Sequence, residues 1–257
     1  MGRIIAITNQ KGGVGKTTTA VNLSACLAMA NKKVLLIDSD PQGNATSGLG
    51  IDKSIIKKTI YESLLGLAPL NEAILPTGIV GLEMVPASID LTGAMVELVY
   101  LEEKERKLSL AIAGLDEQYD FIIIDCPPSL GLLTINILVA VREVIIPLQC
   151  EYYALEGLSQ LLNIVNIVKD NLNPSLSIAG ILLTMADMRT NLTQQVIKEV
   201  QQYFKDKVFN TIIPRNVRLG EAPSFGKPII EYDVRSTGAE AYVEFTKEVL
   251  NDKECIR

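Results

Sequence analysis

Short, unbroken apolar runs alternate along this chain with longer stretches whose apolar residues recur every three or four positions. The runs Arg3–Thr8, Lys33–Ile37, Tyr119–Asp125, Val144–Leu148, Ile178–Thr184 and Val208–Ile213 show no polar alternation, the pattern of strands buried on both faces. Between them, Thr18–Ala30 and Leu155–Lys169 read as helices. The most apolar window, Leu130–Ile146, carries Arg142 and Glu143, which divide it into a core helix and a following strand rather than a membrane span. Alternation of this kind predicts the α/β class, a mostly parallel twisted sheet flanked by helices on both faces. No linker, repeat or low-complexity tract interrupts it, so residues 1–257 read as a single domain.

The polar residues that matter stand where the predicted strands end, which is where open α/β sheets bind ligands. Directly after the first run comes Lys11-Gly12-Gly13-Val14-Gly15-Lys16-Thr17-Thr18, close to the phosphate loop G-x-x-x-x-G-K-[ST]. Gln10 replaces its first glycine, and a second lysine, Lys11, precedes the glycines. Backbone N–H groups in such a loop turn inward on phosphate oxygens, and a helix N-terminus behind it adds a favourable dipole. The second run delivers Asp38-Ser-Asp40-Pro-Gln42. These aspartates read either as a turn before Pro41 or as two carboxylates on one face of an extended segment. The third run ends in Asp125, followed by Cys-Pro-Pro-Ser129, as a metal-binding strand end would.

Charge and composition narrow the options. The formal net charge of −6 argues against a broad positive field, so any nucleic-acid contact must be a local patch. The chain has no histidine, and Cys26, Cys126, Cys150 and Cys255 show no C-x-x-C spacing. Zinc sites and His-activated nucleophiles are excluded, and proton transfer falls to carboxylates, lysines or water. The N-terminus lacks the pattern of a secretory signal, which predicts a cytoplasmic protein.

The segments Ile7–Thr18, Asp40–Asn44, Glu151–Gly157 and Glu221–Gly226 together resemble ParA-type partition ATPases of the short chromosomal Soj form. These belong to the deviant Walker A family, which also holds MinD, the nitrogenase iron protein and arsenite-pump ATPases. The resemblance implies a P-loop NTPase fold that binds ATP and Mg²⁺ through Lys11, Gly12, Gly13, Val14, Gly15, Lys16, Thr17 and Thr18. Lys11 would cross to the partner subunit's phosphates, Lys16 would clamp the resident phosphates, and Thr17 would ligate Mg²⁺. Asp40 would orient the attacking water, while Asp38 and Asp125 would support the metal shell. Pro214 and Asn216 would hold adenine, and Arg189 and Arg218 would bind DNA, although isolated loop arginines are otherwise simply solvated. The implied output is an ATP-bound homodimer on nonspecific double-stranded DNA, associated with the nucleoid. A ParB/Spo0J-type activator would accelerate its slow ATP hydrolysis during chromosome partitioning.

Other outputs of the same family remain to be compared. A MinD-like, membrane-associated ATPase would end in a basic amphipathic helix, whereas Ala239–Glu254 holds four glutamates and one aspartate against two lysines. No membrane partner is therefore expected. An iron-protein reading needs cysteines in glycine-rich loops, which neither Cys126 nor Cys150 has. An ATP-dependent biosynthetic ligase or kinase is the alternative.

Overall fold

A computed structural model describes residues 1–151 and 154–251, without the side chains of residues 154–156. Cys255, the end of the acidic tail and Tyr152–Glu156 of the Glu151–Gly157 segment lie wholly or in their side chains outside the described residues. The strands are β1 (Arg3–Ile7), β2 (Val34–Asp38), β3 (Leu75–Pro76), β4 (Leu82–Val85), β5 (Phe121–Asp125), β6 (Glu143–Gln149), β7 (Ser177–Ala186) and β8 (Val208–Pro214). They form one eight-stranded sheet in the order β3-β4-β2-β5-β1-β6-β7-β8. Every described pairing is parallel except β3 with β4.

Each apolar run of the sequence is a strand, and, except in the edge strand β8, where Asn210 is exposed, its lack of alternation has a direct cause. In β1, Ile4 and Ala6 enter one hydrophobic cluster while Ile5 and Ile7 enter the other, so both faces are covered. The first cluster includes Leu133 and Ile137 of the helix Leu132–Ala140 and Leu158, Leu161 and Val165 of the helix Ala154–Asn171. The second includes Ala20, Leu23 and Leu27 of the helix Lys16–Met29 and Tyr242 and Phe245 of the helix Thr237–Asn251. The predicted division of the Leu130–Ile146 window holds, and no described helix is long and apolar enough to cross a membrane.

The helix after the phosphate loop starts at Lys16, earlier than its apolar pattern suggests, because the loop's last residues already form its first turn. Strands β3 and β4, with two and four residues, are not foreseen, being too short to carry a periodic signal. Both sheet edges are blunted. Pro76 stands in β3, and along β8 the Glu248 carboxylate accepts the backbone N–H groups of Asn210 at 2.6 Å and Thr211 at 3.0 Å.

Register brings the chemistry together. In the parallel pairings Asp125 lies opposite both Ile7 and Asp38, so β1, β5 and β2 end at one level.

Candidate nucleotide site

The loop after β1 is braced from the neighbouring strand ends. Asn9 donates through Nδ2 to the Pro147 carbonyl at 2.8 Å and accepts the Lys11 N–H at 3.0 Å. The Thr184 hydroxyl, on β7, donates to the Val14 carbonyl at 2.9 Å. Gly13 and Gly15 have φ of +73° and +90°, a region that disfavours any side chain. Gly15 occupies the N-cap position without a side-chain cap, so the first N–H groups of a 14-residue helix are left for an anion.

Lys16 is buried, with its ammonium donating to the Lys11 carbonyl at 3.0 Å. Burial lowers its pKa, partly offset by Asp125, Cys126 and Asp40. Lys11 is half-exposed, and its Nζ lies 2.7 Å from Oε2 of Glu151 in the same chain. Glu151 is held in turn by Gln149, which donates to its Oε1 at 2.6 Å.

Opposite the loop, the carboxylates have distinct surroundings. Asp38 is fully buried and accepts from Thr46 N at 2.8 Å, Thr46 Oγ1 at 2.7 Å and Asp40 N at 3.2 Å. Burial pushes its pKa up to about 6 against the opposing pull of the Thr46 bonds. Asp40 accepts the Gln42 N–H at 2.9 Å through one oxygen, so it both forms the turn and reaches the site. Asp125 is also fully buried, yet neither of its oxygens has a hydrogen-bond partner of normal geometry. Burial, then the Asp38 charge, raise its pKa well above the ordinary carboxylate range, with the Thr17 hydroxyl and Lys16 pulling the other way.

An unpaired buried carboxylate is costly unless something else completes it. A divalent cation fits that need at Asp125, with Thr17 and Asp38 as neighbours. Among the described residues no group of three or more acidic, His or Cys side chains could hold a metal by itself. Such an ion would therefore take its remaining ligands from phosphates and water, the habit of Mg²⁺.

Beside Gly15 and Thr18 lies a cavity of about 180 Å³ lined also by Thr184, Met185, Asn216 and Tyr242. Asn216 is already engaged, its Oδ1 capping the Arg218 N–H at 2.8 Å and its Nδ2 donating to Thr237 Oγ1 at 2.8 Å. Pro214 ends β8 and is not among the residues that line this cavity. The two arginine loops are neighbours, since the Arg215 N–H donates to the Ala186 carbonyl at 3.0 Å. Neither arginine is a free cation. Arg189 forms a two-pronged pair with Asp187 at 2.8 and 2.7 Å, and Arg218 pairs with Glu221 at 2.8 Å and Asp233 at 3.5 Å. Cys26, Cys126 and Cys150 are buried and unbridged, which agrees with inert thiols.

Glu151, Thr46, Asn9 and Thr184 are site residues to which the sequence assigned no role, although Asn9 and Glu151 stand in segments that carry the resemblance. Thr184 left a signal, a polar residue at the end of an apolar run. The partners of Asn9 and Thr46 depend on sheet order and left none.

Sheet, phosphate loop and acidic strand ends define an α/β P-loop ATPase. A family model described as an AAA domain matches residues 2–178. The sporulation initiation inhibitor protein Soj of Bacillus subtilis (strain 168) is 61% identical over 97% of this chain and 98% of its own length. The chromosome partitioning protein ParA of Myxococcus xanthus is 59% identical over 97% of this chain and 88% of its own length. A solved structure of cobyrinic acid a,c-diamide synthase from Mycobacterium smegmatis with bound ADP and magnesium covers 100% of this chain and 97% of that one, at 38% identity and a TM-score of 0.88. The chain belongs to the ParA/Soj chromosome-partitioning ATPases.

Proposed function

We propose that the chain is an ATP-driven switch for chromosome partitioning, in which ATP and Mg²⁺ join two copies into a dimer that holds nonspecific DNA. The observation that carries this reading is the meeting of Lys16, Asp38, Asp40 and Asp125 before the phosphate loop, in a chain 61% identical to Soj. Lys16 and the loop N–H groups bind the phosphates, while Thr17, Asp38 and Asp125 hold Mg²⁺, which neutralises phosphate charge when bound. Asp40 orients a water whose oxygen attacks the γ-phosphorus as the bond to the bridging oxygen breaks. Asn216 and Pro214 serve the base side of the nucleotide. A ParB-type protein accelerates an otherwise slow turnover.

Two features favour this output over its alternatives. A MinD-like membrane helix needs a free apolar face, but Tyr242, Phe245 and Val249 of the helix Thr237–Asn251 are buried in the core. The likeness to the diamide synthase supports a ligase reading at 38% identity, well below that to Soj.

In the single chain Lys11 rests on Glu151, and both side chains are more than 40% exposed. An exposed pair contributes at most about 1 kcal/mol, so Lys11 can leave it for a partner's phosphates at small cost. Lys11→Ala is expected to keep most of its ATP affinity while weakening the ATP-bound dimer by about 2–5 kcal/mol per lost contact. Analytical ultracentrifugation with ATP reads this, and an unchanged dimer would remove Lys11 from the interface.

The reading as a whole is tested by binding to duplex DNA of arbitrary sequence with ATP, ADP or no nucleotide across a salt series. DNA should bind only with ATP, and affinity should fall steeply as salt rises. Phosphate oxygens replace the Asp187 partner of Arg189, a pair 88% exposed on the arginine side. Arg189→Glu should still dimerise, yet bind DNA more weakly and with a logarithmic salt slope shallower by about 2, one contact from each subunit. ATP-dependent dimers that ignore DNA in every state would redirect attention to a small-molecule substrate.

A further inference from the structure

Asp38 cannot turn freely, and the residue that fixes it lies outside the phosphate loop and the strand ends. Thr46 is fully buried in the short helix Asn44–Gly48. Its hydroxyl oxygen accepts the Ala87 N–H at 3.2 Å, from the segment following β4. With that acceptor position filled, the hydroxyl proton is directed to Asp38 Oδ2, 2.7 Å away, where the Thr46 N–H also arrives at 2.8 Å. The opposite oxygen, Oδ1, takes the Asp40 N–H at 3.2 Å. Three donors on two oxygens leave one carboxylate orientation, and register holds it beside Asp125.

Resting on the nucleotide-site reading above, we infer that Thr46 is a positioning residue for the metal side of that site: its hydroxyl, set by Ala87, fixes the Asp38 carboxylate beside Asp125. Groups that orient metal-binding carboxylates by hydrogen bonds commonly contribute as much to metal affinity as a weak ligand does. Thr46 also joins three pieces of chain, the end of β2, the helix Asn44–Gly48 and the segment after β4. Its role concerns the cation and not the phosphates, because none of its bonds goes to the phosphate loop.

The test uses the full chain and a fluorescent ATP analogue, titrated with Mg²⁺ and, separately, bound in EDTA. Thr46→Val keeps the side chain's shape and removes the hydroxyl. It should raise the Mg²⁺ concentration at half-maximal response about tenfold, the lower end for loss of an orienting partner, and leave metal-free nucleotide affinity unchanged. Thr46→Ser should restore the parental midpoint. In an Asp38→Asn background Thr46→Val should add little, since coupled sites are not additive.

A parental Mg²⁺ midpoint in Thr46→Val, or full additivity with Asp38→Asn, would overturn the proposal. Equal losses with and without Mg²⁺ would do the same, marking Thr46 as part of the packing alone. Should the valine variant not fold, Thr46→Ala decides by the same two titrations. A parent chain that does not bind the analogue in either condition would overturn the nucleotide-site reading itself, whereas one that binds it identically with and without Mg²⁺ would overturn the cation role of Asp38 and of Thr46 alone.

Discussion

Asp40→Ala is expected to bind ATP, to dimerise and to stay on DNA, while its hydrolysis falls about a hundredfold or more, the usual scale for losing a group that handles a proton in the reaction. Asp40 is almost fully buried, and one of its oxygens is spent on the Gln42 N–H. The other has no protein partner among the described residues and is left to receive a water. Removing the carboxylate therefore leaves Lys16, Thr17, Asp38 and Asp125 in place and deletes, besides the turn bond to Gln42, the group proposed to act on the nucleophile. Phosphate release in a single turnover, measured beside DNA retention, checks both halves. Parental hydrolysis by a folded variant would move the catalytic role elsewhere.

The second large effect is expected from Lys16→Ala, which should lose ATP affinity by a factor of about a hundred or more. Lys16 is 6% exposed beside Asp40 and Asp125, and its ammonium donates to a carbonyl of the loop. Removing a buried partner of opposite charge typically costs about 3–5 kcal/mol, and 3 kcal/mol corresponds to a little over a hundredfold. Here the loss falls on the nucleotide, because incoming phosphates would meet carboxylates with no ammonium between. Calorimetry of ATP binding, with a melting curve to establish that the variant is folded, separates this from general damage. Affinity within a few-fold of the parent would show that Lys16 does not hold the phosphates.

The contrast between these variants and Thr46 explains what was legible in the sequence. Lys16, Asp38, Asp40 and Asp125 end or follow apolar runs, and a fully buried strand leaves chemistry nowhere else to stand. What could not be read is that β5 lies between β1 and β2, which sets Asp38 and Asp125 side by side. Neighbourhood in a parallel sheet is decided by crossovers, and no local pattern encodes it. The segment from Asn44 to Ala111 was opaque for another reason. Its α-helices, Asn44–Gly48, Ile60–Leu64, Leu91–Glu97 and Lys107–Ala111, have five to seven residues and complete too few turns to show a period. Thr46 lies there, and so does the bond that holds Asp38.

The blunted sheet edges bear on how such a switch lets go. Strand addition along β8 would require displacing the Glu248 carboxylate from two backbone N–H groups, and β3 offers two residues, one of them proline. Copies of this chain are thus discouraged from growing into a continuous ribbon, whose many backbone bonds no single chemical event could sever. A junction made across the phosphates has the opposite property. In the proposed dimer its cohesion would hang on a group that an ATPase cleaves, so separation would be timed by a reaction and each copy returned whole for another round.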